Sequence, residues 1–570
     1  MKNYIDGGEA ILEAFRQLDI DYVIASPGSE WGSVWEAFAR QEREKTEGPK
    51  YLNCAHETLA VDLAIGYSVM TGRMQAVMLH TGVGLLQGSI GIDTAYRQSV
   101  PMVVVSGESL SYSEHDGFDP GPQWHGVLSV VGGPTVLASG ITKWSQSVSS
   151  QHTLYEQLIR AGEMAQRSPA GPVYMSVPIE TMLHDWTPPQ APRAVPPAPK
   201  PVPPAEDIEA VADMLLNAKN PAIVAESIGR DPAGYSATVE LSEMLAIPVS
   251  ECRWLDFTNF PKEHPMYQGM GEPDYLKDCD VVLTLRARAP WTPPSAKPAN
   301  AKIVNIDETP FRPHMVHQSL QADIFLEGDA IATLQSLNSI ICNRVVEAEV
   351  SQRWEKWSKA HNDMVARNKA IEADGLAKET ITPIGLCATL SALLPDDAVF
   401  VDETITHRPI IIRHLDYRGP RSFYTAATGG LGQGLGLALG TKLARPDCFV
   451  VSVIGDGSFM YNPVVQSLTL SKHEELPIFV VIFNNMGYSA MRKEHHSYYP
   501  NGLAANNSTS VGHTITDMDY AELARAFGFY GRKVDRLIEL ENAIQEGQRA
   551  VCNGQTAILN VVLDEGDNSI

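Results

Sequence analysis

The stretch VVSVIGDGSFMYNPV, residues 450–464, is the most informative part of this 570-residue sequence. Its first five residues are almost all apolar and β-branched, as in a strand that is buried on both faces of a parallel sheet. The run breaks at Gly455-Asp456-Gly457, and a helix is predicted to begin at Ser458. Ligands of open parallel sheets bind at the carboxyl ends of the strands, so the lone carboxylate predicts a binding site there.

A second buried strand, LPIFVVIFNN at 476–485, also ends in polar residues. Asn484 and Asn485 close this strand, and Gly487 follows them. A carboxylate, an amide oxygen and a nearby backbone carbonyl are hard ligands of the kind that Mg²⁺ prefers. The pattern therefore predicts a Mg²⁺ ion held by Asp456, Asn485 and Gly487.

The glycines on either side of Asp456 indicate what the metal would face. Gly455 and Gly457 allow the backbone to approach a phosphate closely, and the amide groups after Ser458 would favour an anion. We therefore expect a diphosphate beside the metal. Taken separately, the G-D-G tripeptide could be a turn and the N-N pair a loop cap.

Short apolar runs alternate with helix-like stretches along the whole chain, which predicts an α/β class of three consecutive parallel-sheet domains. The clearest predicted strands are YVIAS (22–26), QAVMLH (75–80), PMVVVSG (101–107), PVYMSVP (172–178), PAIVAES (221–227), CDVVLTL (279–285), AKIVNID (301–307), AVFVDE (398–403), CFVVSVIGD (448–456), LPIFVVIFNN (476–485) and AILNVVLDE (557–565).

Proline content and charge mark the expected boundaries. Residues 186–206, WTPPQAPRAVPPAPKPVPPAE, predict an extended linker. The N-terminal domain is then 1–185, the middle domain 207–345, a charged helical connector 346–380, and the C-terminal domain 381–570.

Composition narrows the functional classes. Apolar residues make up 44% and charged residues 20%, and the formal charge of −24 argues against nucleic acid or an anionic membrane as a partner. The seven cysteines form no C-x-x-C pair, which suggests reduced thiols. No stretch has the roughly 18 apolar residues of a membrane span, and residues 1–20 lack the pattern of a secretion signal, so a cytoplasmic location is expected.

The spacing of G-D-G and N-N, with 26 residues between them, resembles the signature of thiamine diphosphate (ThDP) enzymes. This resemblance implies ThDP and Mg²⁺ as cofactors. It also implies cofactor contacts from Thr406, Gly430, Tyr461 and Tyr488, in addition to the residues of the two motifs.

The family places a glutamate at the aminopyrimidine ring of ThDP, where it promotes deprotonation of the thiazolium carbon. CAHETLAVDLAIGYSVMTGR, residues 54–73, resembles that segment and nominates Glu57. A carboxylate is also favoured in the first turn of any helix, which is the alternative reading.

The glycine-rich run TAATGGLGQGLGLALGTKLARP, residues 425–446, is similar to the segment in which the family carries an apolar wedge that bends ThDP. The resemblance places this wedge at Leu431. Taken alone, the run could instead serve close helix packing, since it does not fit G-x-G-x-x-G.

Within the family the chain resembles benzoylformate decarboxylases most. SPGSEWG aligns Ser29 with a substrate-binding serine, and MLHTGVG aligns His80 with a proton-transferring histidine. The alternatives are that Ser29 is a helix N-cap and that His80 is a satisfied histidine at a strand end.

The sequence departs from that pattern at two positions that concern the substrate. The second active-site histidine of these decarboxylases has no counterpart in RARAPWTPP, residues 286–294, and His407 could compensate or simply start a helix. An aromatic pocket position falls on Glu494, an acid/base candidate or part of a solvated helix face.

No clear phosphate loop occurs in the middle domain, so no nucleotide is expected there. Residues 499–516 are predicted to form a polar loop that could close over the cofactor.

The resemblance implies a non-oxidative 2-oxo acid decarboxylase with carboligase capacity and a more polar pocket. A ThDP-dependent lyase or synthase, of the acetolactate synthase or 2-hydroxyacyl-CoA lyase kind, is the alternative. A ThDP-binding protein with a regulatory role is a third reading. The family builds each site from two subunits, so a homodimer at least is expected, with a homotetramer as the anticipated assembly.

Overall fold

The computed structural model of the chain describes residues 4–108, 132–271, 273–315, 318, 320–345, 347–426, 429–507 and 511–564. Three six-stranded sheets follow one another along the sequence. Every strand pairing within them is parallel. The predicted α/β class with three consecutive parallel sheets is confirmed.

The first sheet has the strand order β2-β1-β3-β4-β6-β5. Its strands are β1 (Tyr22–Ala25), β2 (Lys50–Asn53), β3 (Gln75–Leu79), β4 (Met102–Glu108), β5 (Trp144–Ser147) and β6 (Pro172–Pro178). Its helices are α1 (Gly7–Gln17), α2 (Gly32–Glu44), α3 (Glu57–Thr71), α4 (Thr81–Arg97), α5 (Pro134–Ser139), α6 (Leu154–Gln166) and α7 (Ile179–Leu183). The central strands β3 and β4 are buried along nearly their whole length, as their continuous apolar sequences predict.

The middle sheet has the order β12-β11-β10-β7-β8-β9. Its strands are β7 (Pro221–Ala225), β8 (Val249–Glu251), β9 (Tyr267–Met270), β10 (Val281–Leu285), β11 (Lys302–Asp307) and β12 (Ile324–Glu327). Its helices are α8 (Ala205–Asn217), α9 (Pro232–Leu245) and α10 (Ala330–Ile341), followed by the connecting helix α11 (Glu347–Leu376).

The third sheet has the order β14-β13-β15-β16-β18-β17. Its strands are β13 (Val399–Glu403), β14 (Phe423–Thr425), β15 (Val450–Gly455), β16 (Phe479–Asn484), β17 (Tyr530–Val534) and β18 (Ala557–Val562). The helices of this part of the chain are α12 (Pro383–Leu393), α13 (Arg408–His414), α14 (Gly434–Ala444), α15 (Asp456–Tyr461), α16 (Val464–His473), α17 (Ser489–Tyr498), α18 (Leu503–Asn507), α19 (Ala521–Ala526) and α20 (Leu537–Cys552).

The chain forms two compact units. The first comprises Met1–Pro199, Ala427–Pro446 and Asn462–Leu476, so it contains the first sheet together with α14 and α16. The second comprises Lys200–Ala426, Asp447–Tyr461 and Pro477–Ile570, and it holds the middle and third sheets. Within the described residues no helix combines the length and apolar character needed to cross a membrane.

Glycines bring α14 of the first unit against α3. A Cβ atom added to Gly440 would lie 2.1 Å from the carbonyl oxygen of Leu63, and one added to Gly66 would lie 2.3 Å from that of Leu437. No side chain fits between these backbones. The close-packing reading of the glycine-rich run therefore holds for its helical part.

Two local expectations differ from the structure. The helix after β15 begins at Asp456, two residues before the predicted start at Ser458, because the acidic residue is itself favourable in a first turn. The polar segment 499–516 is not all loop, since it contains the short helix α18 and an antiparallel bridge between Thr514 and Gly487.

Candidate active site

Asp456 lies buried where β15 passes into α15. Its Oδ1 accepts a hydrogen bond from the Gly457 amide at 2.9 Å, and its Oδ2 accepts one from the Gly487 amide at 3.1 Å. The carboxylate thus joins the loops that follow two neighbouring strands, β15 and β16. Burial raises the pKa of Asp456, while these amides and nearby His407 lower it. A bound cation would offset the cost of burying the charge.

The loop after β16 is held by side-chain amides. Asn484 donates to Asn560 Oδ1 at 3.0 Å and accepts from the Met486 amide at 3.0 Å, so it shapes the turn. Met486 has a positive φ of 55° there. The Nδ2 group of Asn485 donates to Ser489 Oγ at 2.9 Å, which orients the Asn485 amide.

Gly457 and Gly487 leave no space for side chains. A Cβ atom at Gly457 would lie 2.6 Å from Cε1 of Tyr488, and one at Gly487 would lie 2.7 Å from the carbonyl oxygen of His513. These contacts bring Tyr488 and the strand-like segment around His513 against the Asp456 loop. Ser458, the next residue of α15, is buried as well.

The loop after β13 borders the same sheet edge, because β13 pairs with β15. Asp402 is fully buried, and its carboxylate accepts from Arg408 Nε at 2.6 Å and from Thr404 Oγ1 at 2.6 Å. This network fixes the segment that carries half-buried Thr406 and buried His407. The His407 ring lies 5.7 Å from that of Phe483, and its coulombic interaction with Asp456 lowers the pKa of that carboxyl group.

The donor set of this edge fits a hard divalent cation. Asp456, the amide oxygen of Asn485 and the carbonyl of Gly487 are all oxygen ligands of the type that Mg²⁺ takes. Within the described parts of the chain, no group of three or more His, Cys, Asp or Glu side chains is placed to hold a metal. A site of one carboxylate, one amide and one carbonyl needs no such group.

In the first unit, Glu57 and His80 both lie close to Gly84. Glu57 is the first residue of α3, after the N-cap His56, whose Nδ1 accepts from the Thr58 amide at 3.2 Å. A Cβ atom at Gly84 would lie 3.4 Å from Glu57 Oε1 and 3.2 Å from the Cβ atom of His80. The two predicted catalytic side chains of this unit are therefore brought together.

His80 forms a close pair with Glu30, a residue that the sequence did not single out. Both carboxylate oxygens of Glu30 lie 2.9 Å from His80 Nδ1, and Oε1 also accepts from the Thr81 amide at 3.0 Å. The Glu30 side chain is 1% exposed and that of His80 23%. The hydrogen bond to Glu30 raises the pKa of His80 above its usual value, and burial partly opposes this.

Glycines enclose the Glu30–His80 pair. A Cβ atom at Gly28 would lie 1.8 Å from His80 Nδ1, and one at Gly107 would lie 2.2 Å from Glu30 Cγ. The sequence feature that could have indicated Glu30 is its position in SPGSEWG, in the loop that follows β1. That feature is weak on its own. Glu30 and His80 lie at the same edge of the first sheet only because β1 and β3 are neighbouring strands.

Ser29 is exposed and is the first residue of a short 3-10 helix, Ser29–Trp31. Gly28 occupies the N-cap of that helix and Trp31 that of α2, so the reading of Ser29 as a helix N-cap is wrong. Its predicted contact with substrate stays a prediction.

The remaining predicted positions differ in their exposure. Leu431 is half-buried and stands two residues after Gly429 and one before Gly432, both of which have positive φ (69° and 105°), with Gly430 between them. Tyr461 is 63% exposed at the end of α15.

Glu494 is exposed on α17 and hydrogen bonds Tyr498, whose pKa it raises. His495 lies beside it, with ring centroids 5.7 Å from His496 and 5.4 Å from His513. The sequence also nominates Trp124 and His125 for the substrate pocket, and both lie outside the described residues.

Three domain families match the chain. They are described as the thiamine pyrophosphate enzyme N-terminal TPP binding domain (residues 5–129), central domain (208–337) and C-terminal TPP binding domain (406–561). Thiamine pyrophosphate (TPP) is another name for ThDP. Each match includes most of the strands of one sheet.

The similarity to known proteins extends over nearly the whole length of the chain. The large subunit of acetolactate synthase isozyme 3 from Escherichia coli K12 is 24% identical over 99% of this chain and 96% of its own. Benzoylformate decarboxylase from Pseudomonas aeruginosa is 25% identical over 95% of this chain and 96% of its own. The crystal structure of benzoylformate decarboxylase from Polynucleobacter necessarius superimposes with a TM-score of 0.78 at 21% identity, covering 99% of this chain and 100% of that one.

Proposed function

Because this chain belongs to the thiamine pyrophosphate enzyme family, we propose that it is a ThDP- and Mg²⁺-dependent decarboxylase of 2-oxo acids. The reaction is non-oxidative and carries carboligase capacity. The full-length likeness to benzoylformate decarboxylase supports this choice within the family.

The observation that carries the proposal is the Glu30–His80 pair beside Glu57. After carbon dioxide leaves a 2-oxo acid, the reacting carbon must take up a proton before an aldehyde is released. His80, with its pKa raised by Glu30, keeps a proton on its ring to a higher pH than an ordinary histidine. It is therefore suited to act as the general acid at Nε2, while Nδ1 faces Glu30.

The other residues would bind and orient the cofactors. Asp456, Asn485 and Gly487 would hold Mg²⁺, and the loop of Gly455, Gly457 and Ser458 would lie along the diphosphate. When bound, ThDP supplies a carbanion for attack on a carbonyl carbon and a ring that accepts electrons as a C–C bond breaks.

Further side chains act around the reacting atoms. Glu57 would hold a proton at the aminopyrimidine. Leu431 would support the bent cofactor, with Thr406, Gly430, Tyr461 and Tyr488 as further contacts. Ser29 would orient the substrate, and His407 and Glu494 are secondary acid/base candidates.

The assembly is proposed to be a homodimer at least, with a homotetramer as the full form. Each cofactor would take its aminopyrimidine contacts from one copy and its diphosphate contacts from the other.

Carbon dioxide release from a panel of aliphatic and aromatic 2-oxo acids, with ThDP and Mg²⁺, tests the activity. At least one acid should yield carbon dioxide and the corresponding aldehyde. Glu57→Gln should lower this rate by at least about 100-fold, a usual loss for an acid–base group. Glu42→Gln, at an exposed position of α2, is the matched control and should leave the rate unchanged.

Product analysis separates the alternative, a ThDP-dependent lyase or synthase, which the likeness to acetolactate synthase favours. A synthase would release carbon dioxide but yield a 2-hydroxy ketone or 2-hydroxy-3-oxo acid as the main product. A lyase would cleave a 2-hydroxyacyl compound and release none. Turnover that is indifferent to Glu57→Gln would contradict both forms of the proposal.

A further inference from the structure

The second unit contains a cavity of about 380 Å³ that none of the assignments above uses. Four segments form its walls: the loop and strand at 262–270, the connecting helix α11, helix α12, and the C-terminal end of α13. Small-molecule sites in proteins typically have volumes of about 300–1,000 Å³, so the cavity can admit a compact organic molecule.

The inner wall is largely apolar. Tyr267, Met270, Met364, Ala388 and Leu415 line it, and the Tyr267 hydroxyl is directed to Glu251 at 3.2 Å. A ligand here would therefore bury an apolar body against these side chains.

Most charged groups of the wall already have partners. Glu372 Oε1 contacts His414 Nδ1 at 3.0 Å, and its Oε2 accepts from Lys369 at 2.7 Å. Lys262 donates to the Leu415 carbonyl at 2.6 Å and lies over the Tyr417 ring at 4.5 Å.

Asp416, also on the wall, pairs with Arg418 at 2.8 Å. Two charged residues of the wall remain, Arg413 and Glu263, and both are exposed. In the part of the chain that the structure describes, neither has an ion-pair partner.

Arg413 is thus the one cation among the described wall residues that is available to a ligand. A guanidinium group binds a carboxylate with two parallel hydrogen bonds, which a neutral group cannot match. The combination of an apolar wall and a free guanidinium selects an amphipathic carboxylate.

We propose that this cavity binds a small organic carboxylate with an apolar body, and that α13 couples its occupancy to the loop around His407 and Asp456. Ligand binding stands on the cavity alone, whereas the coupling rests on the proposed function. Glu263 would add a contact if the ligand also carried an ammonium group.

The geometry of α13 supports the coupling. At its C-terminal end, His414 is held by Glu372 on the cavity wall, and its carbonyl accepts from Ser391 at 3.4 Å. At the other end, His407 is the N-cap residue, and Arg408 binds Asp402. The helix has seven residues, so its two ends are about 10 Å apart. A shift of a packed helix of this length carries both ends together.

Isothermal calorimetry on the full chain, freed of ThDP and Mg²⁺, tests ligand binding. The probes are phenylacetate, its neutral isostere phenylacetamide, and phenylalanine as the zwitterion. We expect phenylacetate to bind, and phenylacetamide to bind on the order of tenfold to a hundredfold more weakly, as for the loss of a hydrogen bond to a charged group. Tighter binding of phenylalanine than of phenylacetate would identify an amino acid as the ligand class.

Three variants locate the site. Arg413→Gln should weaken phenylacetate binding by on the order of tenfold to a hundredfold, and Ala388→Phe should abolish it by filling the cavity. Arg549→Gln removes the same charge from an exposed residue of α20 that is not part of the cavity wall and should change nothing. Absent binding, or binding that Arg413→Gln and Ala388→Phe both leave intact, would overturn the proposal.

ThDP affinity in the presence of Mg²⁺ tests the coupling. Saturating phenylacetate should change the dissociation constant of ThDP for the wild type, and ThDP should change that of phenylacetate by the same factor, as linkage requires. The effect should vanish in Ala388→Phe. An unchanged ThDP affinity overturns the coupling alone, whereas failure to bind ThDP at all overturns the proposed function and leaves the carboxylate site standing.

Discussion

Two titratable side chains of the candidate site have raised pKa values for different physical reasons. Asp456 is raised chiefly by burial, so its charged form is costly unless a cation is near. His80 is raised chiefly by its hydrogen bond to Glu30, so its protonated form is the stabilised one. The buried Asp456 carboxylate is suited to bind a cation, and the His80 ring is suited to donate a proton.

Glu30→Gln should move the pH dependence of turnover. The variant removes the hydrogen bond that raises the pKa of His80, so the limb of the profile that reports His80 should move to lower pH. Proton NMR titration of the His80 ring should show the same direction. Glu42→Gln is the control, and an unmoved His80 titration in Glu30→Gln would contradict the assigned cause.

The same pair makes a stability prediction of fixed sign. Because the pKa of His80 is raised in the folded state, the pair stabilises the fold below the ordinary histidine pKa of about 6.5 and loses this contribution as pH rises through the folded value. The difference in unfolding free energy between wild type and Glu30→Gln should therefore shrink as pH rises, as measured by urea denaturation across that range. A difference that grows with pH would contradict it.

Gly457→Ala should weaken the diphosphate site. The added Cβ atom would lie 2.6 Å from Tyr488 Cε1, so either the ring or the Asp456 loop must move. Displacements of this kind can cost on the order of 100-fold in turnover, and we expect the dissociation constant of ThDP to rise as well. Calorimetry measures the latter. Gly32→Ala, with φ of −52° and no atom within 4 Å of the added Cβ, is the control and should be neutral.

At this scale the sequence predicted some positions better than others. Asp456 and Asn485 stand directly after long apolar strands, so their place at the sheet edge could be read from the pattern. Glu30 could not, because a lone acid in a loop has no spacing signal. Its partner is 50 residues away and becomes a neighbour only through the pairing of β1 with β3.

At the scale of elements, the crossing of α3 and α14 shows what the glycine-rich run contributes. Gly436, like Gly440, faces α3, and a Cβ atom added to it would lie 2.6 Å from that of Asp62. Gln433, which precedes α14, donates to Asp62 Oδ1 at 2.9 Å and accepts from Thr94 at 2.9 Å. Small residues and a buried polar bridge thus hold the helix that carries Glu57 at its start.

Gly440→Ala should destabilise the protein. Its Cβ atom would meet the Leu63 carbonyl oxygen at 2.1 Å, and backbone cannot yield as a flexible side chain does. Overpacking of this kind costs about 1–3 kcal/mol in unfolding free energy, which thermal or urea unfolding would detect. Gly140→Ala, with φ of −80° and open space around the added atom, is the comparison, and equal effects of both variants would contradict the packing argument.

The element boundaries illustrate a limit of sequence patterns. Apolar runs predicted the buried strands closely; β6 and the predicted PVYMSVP coincide at 172–178. The sequence alone did not decide whether the glycine-rich run supports a cofactor wedge or close helix packing, because both uses demand small residues. Only the three-dimensional neighbours, Leu63 and Asp62, assign Gly436 and Gly440 to packing.

At the scale of the whole molecule, the first and third sheets have the same topology. Numbered from their own first strands, both have the order 2-1-3-4-6-5. The loop with Ser29 and Glu30 after β1 therefore corresponds to the loop with His407 after β13, and His80 after β3 corresponds to Asp456 after β15. One framework would then carry the proposed proton-transfer groups in one domain and the proposed metal-binding groups in the other.

The middle sheet differs both in order and in the chemistry of its edge. Read from β9 to β12 and numbered from its own first strand, it has the order 3-2-1-4-5-6 of doubly wound nucleotide-binding folds. Ion pairs occupy the strand ends: Arg288 binds Glu226 and Asp256, and Arg312 binds Asp307. Such pairs resist insertion of a ligand, because removing one partner leaves the other buried and uncompensated.

The division into units was less predictable than the sheets. Three parallel sheets follow from strand patterns, whereas the grouping of α14 and α16 with the first sheet depends on which helix faces pack together. The domain boundaries at 185, 206, 345 and 380 stay predictions.

Mixing two inactive variants tests the proposed assembly. Glu57→Gln lacks the carboxylate proposed to contact the aminopyrimidine, and Asp456→Asn lacks the proposed metal ligand, so each alone should be inactive. If every site combines Glu57 of one copy with Asp456 of another, a mixed dimer has one fully wild-type site and one doubly altered site. Random reassociation of equal amounts should then restore about a quarter of wild-type activity, since half of the dimers are mixed and half of their sites intact.

The mixing experiment has an internal control, because each variant reassociated with itself should remain inactive. Analytical ultracentrifugation of the same samples verifies that the variants assemble as the wild type does. If subunit exchange is demonstrated by differential labelling and no activity returns, each site must draw Glu57 and Asp456 from a single copy. A homodimer would then not be the minimal active unit, because nothing in the chemistry of Glu57, His80 or Asp456 would require a second chain.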